Sequence, residues 1–398
     1  MKRVKLLFLG LSIVLQVSGQ SLVDTYKSGT LKLVQDTEYA KENSWGEIFS
    51  DYKQKVNGMP VGLYKSIAVA PDGSVFVGNY NSYSISKFNP AGKHVLTFGS
   101  KGTSEQDFRV RPVLGGVVGG KYVFTHEYNG HIKLFTLNGE FVKNIKLDYM
   151  PMKTVSLSSN RIALVGHVPM GEKGVRYVIT IIDPDSGEAN VIKKYDDVWD
   201  DPNLTISKNS YLYSYSPFST TNRMFIRGLA DGNLLVGFSF SNQLSVYSPS
   251  GKHLRDIALD YPSLPYPEDL KKEFIARMEA MVEQKDGFTK ADIAPIYRED
   301  FFRKTMPYYY NLLVDDEGNI LVFRFIDEEV DHLFRVYTYS SNGKWVGDAI
   351  VDLSGFKLGL NYKYEEIAFH NKHLYGILQP SADEVVPPQL VKFGLKGK

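Results

Sequence analysis

Short runs of apolar or alternating apolar and polar residues, separated by turns rich in glycine, asparagine and aspartate, repeat along most of the chain. In the first clear copy, four such runs lie at residues 67–69, 75–77, 85–88 and 94–98. A turn at Gly73 separates the first two runs, and a turn that ends at Gly92 separates the last two. Runs of this length between turn residues predict four antiparallel strands joined by hairpins.

Two turns mark each copy of the repeat. The second residue of the first turn is Gly73, Gly120, Asn160, Gly232, Gly318 or Lys372. The second turn begins at an aromatic or aliphatic residue and ends at a glycine, at residues 88–92, 135–139, 182–187, 247–251, 339–343 and 393–397. Six repeats of four strands predict an all-β fold, a six-bladed β-propeller.

The last copy of the repeat lacks a fourth strand. Residues 390–393 form its third strand, residues 394–397 form the turn, and the given sequence ends at Lys398. An unpaired strand edge favours aggregation. We therefore expect the strand-like run at residues 31–34 to supply the missing strand and close the ring.

Two insertions interrupt the repeat. The first is an aspartate-rich and aromatic-rich run at residues 196–221, and the second, at about residues 262–306, lies between the fourth and fifth blades. In the second insertion, Leu270, Phe274 and Met278 recur at helical spacing. We expect a helix packed on the propeller wall, and the alternative is a lid or a helix that docks a partner.

The beginning of the chain predicts export. A basic start, an apolar run at residues 6–17 and small residues near Gly19 are typical of a signal peptide, here residues 1–19. No later segment has the roughly 20 apolar residues that span a bilayer. We therefore expect residues 20–398 to be a secreted or periplasmic propeller with no transmembrane segment.

Composition excludes several classes of protein. The chain has no cysteine, which excludes a disulfide-stapled module and a lipid anchor on cysteine. Its 46 basic and 45 acidic residues give a net charge of +1. This balance leaves no electrostatic footprint for nucleic acid, so we expect no nucleic-acid partner.

The first repeat resembles an NHL-type repeat. The residues that carry the resemblance are residues 66–77, 85–88 and Gly92 in the repeat, and residues 98–102, Phe108 and Pro112 in the connector after it. The chain as a whole is similar to secreted six-bladed β-propellers of the NHL or TolB-like type, which are abundant in Bacteroidetes and mostly have no assigned function. The aspartate that usually follows the second strand is replaced by Asn79 and His126 in the first two blades.

Aligned ends of the second strands suggest a binding site. These positions are Asn79, His126, His167, Phe238 and Arg324. In a propeller such ends emerge on one face around the central channel, and neutral histidine is a good transition-metal ligand. The sequence lacks a histidine pair at metal-binding spacing, however, and this position commonly hydrogen-bonds to its own blade. Structural roles, small-ligand binding and metal binding all remain open, and we assign no metal or cofactor.

The connectors on the same face add aromatic and basic residues. The four that we include in the candidate site are Tyr64, Arg109, Arg111 and Arg223. Aromatic rings and guanidinium groups suit glycans, peptides and anionic groups, and they are typical anchors of protein interfaces. The alternative is that the tyrosines fill gaps between blades. We expect this face to be basic and to bind anionic ligands in a salt-dependent way.

Motifs of catalysis are lacking. The chain has no Gly-x-Ser-x-Gly elbow, no nucleophilic cysteine and no phosphate-binding glycine loop of the Walker type. We therefore predict an exported, non-catalytic binding or scaffold protein that recognises a glycan, a peptide or a protein at the mouth of its channel. The alternative is a metal-assisted lyase or hydrolase built on a six-bladed propeller.

Overall fold

Antiparallel β-sheets make up most of the protein. The computed structural model describes residues 22–53, 55–56, 59–60, 65–169, 175–195, 224–284, 289–298, 301–302, 304–325, 333–352, 367–378 and 386–397. Several four-stranded sheets dominate these residues, an architecture consistent with a β-propeller. The predicted signal peptide and the run at residues 196–221 lie outside the described residues.

The first elements precede the repeats. They are helix α1 (Leu22–Tyr26), strand β1 (Gly29–Gln35), helix α2 (Trp45–Ile48), a 3₁₀ helix (Ser50–Lys53) and a two-stranded hairpin of β2 (Lys55–Val56) and β3 (Met59–Pro60).

Four separate sheets follow, and each has its four strands side by side in chain order. The first contains β4 (Lys65–Val69), β5 (Val75–Asn79), β6 (Ser84–Phe88) and β7 (His94–Phe98). The second contains β8 (Pro112–Val118), β9 (Tyr122–Glu127), β10 (His131–Thr136) and β11 (Phe141–Lys146). The third contains β12 (Met150–Leu157), β13 (Arg161–Pro169), β14 (Val175–Ile182) and β15 (Ala189–Tyr195). The fourth contains β16 (Met224–Gly228), β17 (Leu234–Phe238), β18 (Gln243–Tyr247) and β19 (His253–Ala258).

A fifth sheet has eight strands and consists of two four-stranded halves. One half contains β20 (Asn311–Val314), β21 (Ile320–Phe325), β22 (Leu333–Tyr339) and β23 (Trp345–Asp352). The other half contains β24 (Ile367–His370), β25 (His373–Leu378), β26 (Gln389–Gly397) and the N-terminal strand β1.

Strand β1 joins these two halves. It pairs antiparallel with β26, from Leu31 opposite Gly397 to Gln35 opposite Phe393, and parallel with β23. This pairing confirms that residues 31–34 supply the fourth strand of the last repeat. The predicted turn at residues 394–397 is wrong, because these residues continue β26 and take part in the pairing with β1.

The first turn of each repeat has the backbone conformation that its sequence requires. All six second residues of these turns have positive φ, with values of 84° at Gly73, 63° at Gly120, 57° at Asn160, 82° at Gly232, 79° at Gly318 and 61° at Lys372. This left-handed region is open to glycine and tolerated by asparagine, which explains most of the residues found there.

The first strands of successive sheets lie next to one another. Contacts join β4 to β8, β8 to β12, β12 to β16, β16 to β20, and β24 back to β4. Apolar clusters fill the spaces between sheets, such as Phe76 with Leu114 and Phe135 between the first two. A methyl group on Gly78 would lie 2.7 Å from Leu114 Cβ, so this glycine allows the close approach of the two sheets.

The insertion between β19 and β20 forms a helical unit with its own apolar cluster. It contains helix α3 (Glu268–Glu283), helix α4 (Lys290–Ile293) and a 3₁₀ helix (Ala294–Tyr297). Phe274 and Met278 of α3 are buried against other residues of the same insertion, including Phe301. Within the described residues, no helix is long and apolar enough to cross a membrane.

Candidate functional site

Four of the predicted site residues lie near the ends of second strands, on the side of their sheets away from the first turns. Asn79 ends β5, His126 is the next-to-last residue of β9, His167 lies near the end of β13, and Arg324 is the next-to-last residue of β21. Phe238 occupies the corresponding position in β17. Tyr64 and Arg223 lie outside the described residues.

Asn79 is buried inside its own sheet. Its side chain is 2% exposed, and its Nδ2 donates to Ser86 Oγ at 3.0 Å and to Ser84 Oγ at 3.3 Å. Ser86 is itself within 3.0 Å of Thr97 Oγ1. In this arrangement the Asn79 amide group ties the second strand of the sheet to the third.

His126 bridges two sheets. Its side chain is 1% exposed, and its Nδ1 lies 3.0 Å from Thr154 Oγ1 on the first strand of the next sheet. Its ring also makes an edge contact with Tyr128 at a centroid distance of 5.7 Å. The imidazole therefore packs between the second and third sheets.

His167 is partly buried beside Tyr177, with the two ring centroids 4.4 Å apart. Among the described residues, its buried Nε2 has no hydrogen-bond partner. Burial disfavours the charged imidazolium and lowers the pKa of His167 from its ordinary 6.5 to about 4. His167 is therefore neutral at physiological pH.

The lowered pKa of His167 predicts a loss of stability in acid. Below pH 6.5 the unfolded chain takes up a proton at this residue, whereas the folded protein does so only near pH 4, so the free energy of unfolding falls over this window. We expect His167→Phe to reduce the loss between pH 7.5 and pH 4.5 by about 2 kcal/mol, measured by urea unfolding. Parallel curves for the variant and the parent would contradict this assignment.

Arg324 contacts the residues at the start of the helical insertion. It is 7% exposed, and its Nη2 donates to the Pro262 carbonyl at 2.6 Å. Its guanidinium group lies 4.6 Å from the centroid of the Tyr261 ring, and Tyr261 stacks on Tyr337 at 4.2 Å. These contacts connect the second strand of the fifth repeat to residues that lead into the insertion.

Arg109 and Arg111 are exposed on the connector between the first two sheets. The backbone N–H groups of Arg109 and Val110 both donate to Glu127 Oε2 at 2.9 Å. The Arg111 guanidinium lies 5.6 Å from the centroid of the Tyr80 ring. These two arginine side chains are therefore accessible to a ligand, whereas Asn79, His126 and Arg324 are engaged in packing within the protein.

A concave site lies on the other face of the sheets, at the turns between the first and second strands. Five of the first turns surround a cavity of about 720 Å³. Its lining residues are Pro71, Val117, Gly119, Gly120, Ser156, Leu157, Ser158, Asn160, Gly228, Leu229, Ala230, Val314, Asp315 and Asp316. We call it the first-turn cavity. Its volume lies within the range of about 300–1,000 Å³ that is typical of ligand pockets.

The lining of the first-turn cavity combines apolar and polar residues. Val117 and Val314 are partly exposed and supply apolar surface, while serine, asparagine and aspartate side chains supply polar groups. Sequence reasoning missed this site because we used the same turns only to count repeats. The signal in the sequence that could have indicated this site is the recurrence of small or polar residues at these turns.

The N-terminal helix contacts one residue of the cavity lining. Tyr26 of α1 is 1% exposed, and its hydroxyl donates to Asp315 Oδ2 at 2.9 Å. The backbone N–H of Lys372 donates to Asp316 Oδ2 at 2.7 Å. In the described part of the chain, no group of three or more histidine, cysteine, aspartate or glutamate residues could hold a metal ion.

No family model and no curated protein matches the chain. Among solved structures it is similar to a member of the DUF4221 family from Bacteroides vulgatus, with a TM-score of 0.53 and 14% identity over 94% of this chain and 100% of that one. It is also similar to a putative exported protein from Bacteroides fragilis, with a TM-score of 0.51 and 10% identity over 94% of this chain and 97% of that one. A third match, virginiamycin B lyase from Staphylococcus aureus, has a TM-score of 0.42 and 11% identity over 83% of this chain and 79% of that one. The first two matches show a shared fold.

Proposed function

We propose that the protein is an exported, non-catalytic binding protein that holds its ligand in the first-turn cavity. The observation that carries this proposal is the cavity itself, about 720 Å³ in volume and built from the turns of five successive repeats. A site made of turns on a rigid ring of sheets is typical of binding proteins, because the scaffold fixes the loops that contact the ligand. The ligand would be a peptide, a glycan or a segment of a protein.

We further infer that the fold is a six-bladed propeller of the NHL or TolB-like type. The four four-stranded sheets and the two halves of the eight-stranded sheet would be its blades. The contacts from β4 through β20 and from β24 back to β4, together with the pairing of β1 with both β23 and β26, support a closed ring. The domain would comprise residues 20–398, with the helical insertion between the fourth and fifth blades.

Export is inferred from the first 19 residues, whose basic start and apolar run are typical of a signal peptide. The similar protein from B. fragilis is itself a putative exported protein. The mature chain would then be secreted or periplasmic. Its N-terminus would precede α1, next to the first-turn cavity.

The opposite face remains a second proposed binding site. It would comprise the residues predicted from the sequence, namely Asn79, His126, His167, Arg324, Arg109, Arg111, Arg223 and Tyr64. The exposed guanidinium groups of Arg109 and Arg111 favour an anionic group there. Substitutions on each face can separate the two proposed sites.

A thermal-shift screen of residues 20–398 against peptides, glycans and divalent metals tests the proposal, because a ligand that prefers the native state raises its melting temperature. For any hit, Ala230→Trp should fill the first-turn cavity and reduce the shift. The double variant His126→Ala with Arg324→Ala should lower stability, because it removes buried contacts, yet leave the shift intact. The reverse result would place the site on the opposite face.

The divalent metals in the screen test the alternative function, a metal-assisted lyase or hydrolase. Stoichiometric binding of a divalent metal, lost on substitution of His126 or His167, would favour the enzyme. A ligand-induced shift that persists after treatment with a chelator would favour the binding protein.

A further inference from the structure

We propose that the first-turn cavity selects ligands that carry an organic cation, namely a lysine, arginine or amino-terminal group of a peptide, and that Asp316 is its direct partner. This inference rests on the proposed function of the cavity, and it specifies the class of ligand.

The charged residues that line the cavity are acidic. Its lining residues include two carboxylates, Asp315 and Asp316, and these described residues include no lysine, arginine or histidine. Just outside the lining, Glu317 and Lys372 form an ion pair with their charged atoms 3.5 Å apart, so these two charges largely cancel. The net charge at this edge is negative, which repels anionic ligands and attracts cations.

Asp315 provides a fixed negative charge. Its Oδ1 accepts the backbone N–H groups of Glu317 at 3.0 Å and Asn319 at 2.8 Å. Its Oδ2 accepts the Tyr26 hydroxyl and the Asn319 side-chain amide, both at 2.9 Å. Burial raises the pKa of Asp315, and the four accepted hydrogen bonds oppose this effect because they favour the ionised carboxylate. The four bonds also use up its acceptor sites. Asp315 therefore acts through its charge rather than by contact with a ligand.

Asp316 is the carboxylate that can contact a ligand. Its side chain is exposed, and Oδ2 accepts the backbone N–H of Lys372 at 2.7 Å. Among the described residues, Oδ1 of Asp316 has no hydrogen-bond donor. One oxygen therefore fixes the orientation of the carboxylate, and the other is available for a charge-assisted hydrogen bond with an ammonium or guanidinium group.

The rest of the lining favours a peptide as the carrier of the cation. None of the lining residues has an aromatic ring, which is the group that stacks on sugars in many glycan sites. The partly exposed side chains of Val117 and Val314 offer apolar contacts, and Ser156 and Asn160 offer hydrogen-bonding groups. These features suit an extended peptide with apolar side chains near one basic residue.

The experiment uses three blocked five-residue peptides of alanine with a central lysine, acetyl-lysine or glutamate. Each is titrated into residues 20–398 by calorimetry at 50 mM and 300 mM salt. We expect the lysine peptide to bind at least fivefold more tightly than the acetyl-lysine and glutamate peptides, and its affinity to fall in high salt. Asp316→Asn should weaken the lysine peptide at least fivefold.

Asp231→Asn is the matched control. Asp231 belongs to the equivalent turn of the fourth repeat, caps the backbone N–H of Asn233 and does not line the cavity. This variant should bind the lysine peptide as the parent does. An equal loss in both variants would overturn the direct role of Asp316, because it would reflect only a long-range effect of charge.

Equal affinity for the lysine and acetyl-lysine peptides, or no binding of either, would overturn the proposed cation selectivity. The cavity-filling variant Ala230→Trp, with Val117→Trp as a second such variant, then separates the two proposals. If both variants abolish binding of another hit from the screen, the cavity is still the binding site and only the class of ligand is wrong. If neither affects any hit, the proposed function fails as well.

Discussion

Deletion of residues 21–36 is expected to lower the thermal midpoint by more than about 10 °C or to abolish soluble expression. The deletion removes β1, which is hydrogen-bonded to β26 on one side and to β23 on the other. It also removes Tyr26, Leu31 and Leu33, which are buried in the cluster between the two halves of the eight-stranded sheet. Both halves would then expose a strand edge and an apolar surface.

Point variants in β1 indicate how much single side chains of this strand contribute to the free energy of unfolding. Leu31 is 7% exposed, and Leu31→Ala should lower the free energy of unfolding by about 2–4 kcal/mol. Lys32 is exposed, and Lys32→Ala should change it by less than about 0.5 kcal/mol. A deletion protein that melts at the temperature of the parent would show that β1 does not close the fold.

The sequence was sufficient to predict this closure because the repeat specified which strand was missing. Each of the other repeats contains four strands, so the absence of a fourth strand after residue 393 required a partner from elsewhere in the chain. The repeat pattern did not specify where the last strand ends. Gly394 and Gly397 resemble turn residues, yet they continue β26, because pairing with β1 supplies hydrogen bonds that a local reading of the sequence does not include.

The candidate site was harder to predict, for a physical reason. The repeat alignment gives the position of His126 along its strand, but the direction of its side chain and its partner, Thr154 on the next sheet, depend on how the sheets pack. Arg324 likewise contacts Tyr261 and Pro262, which lie at the start of an insertion that has no counterpart in the other repeats. The first-turn cavity has no motif, because five short turns far apart in sequence each contribute between one and four residues.

A buried ion pair holds the connector between the first two sheets. Lys133 is 2% exposed, and its Nζ lies 3.6 Å from Glu127 Oε1 and 2.6 Å from each of the Glu105 and Asp107 carbonyls. Glu127 is fully buried, and its other oxygen accepts two backbone N–H groups of the connector. The pair therefore attaches residues 105–110 of the connector to the second sheet.

Lys133→Met is expected to lower the free energy of unfolding by about 3–5 kcal/mol at pH 7, measured by urea unfolding, because it leaves the Glu127 carboxylate buried without a counter-charge. Adding Glu127→Gln should recover part of this loss, since the amide oxygen can still accept the two N–H groups and no charge remains buried. Lys121→Met is the control: its ion pair with Asp185 is solvent-exposed, and its loss should cost less than about 1 kcal/mol. Equal effects of the two single variants would show that the buried pair contributes no more than an exposed one, and that other contacts hold the connector in place.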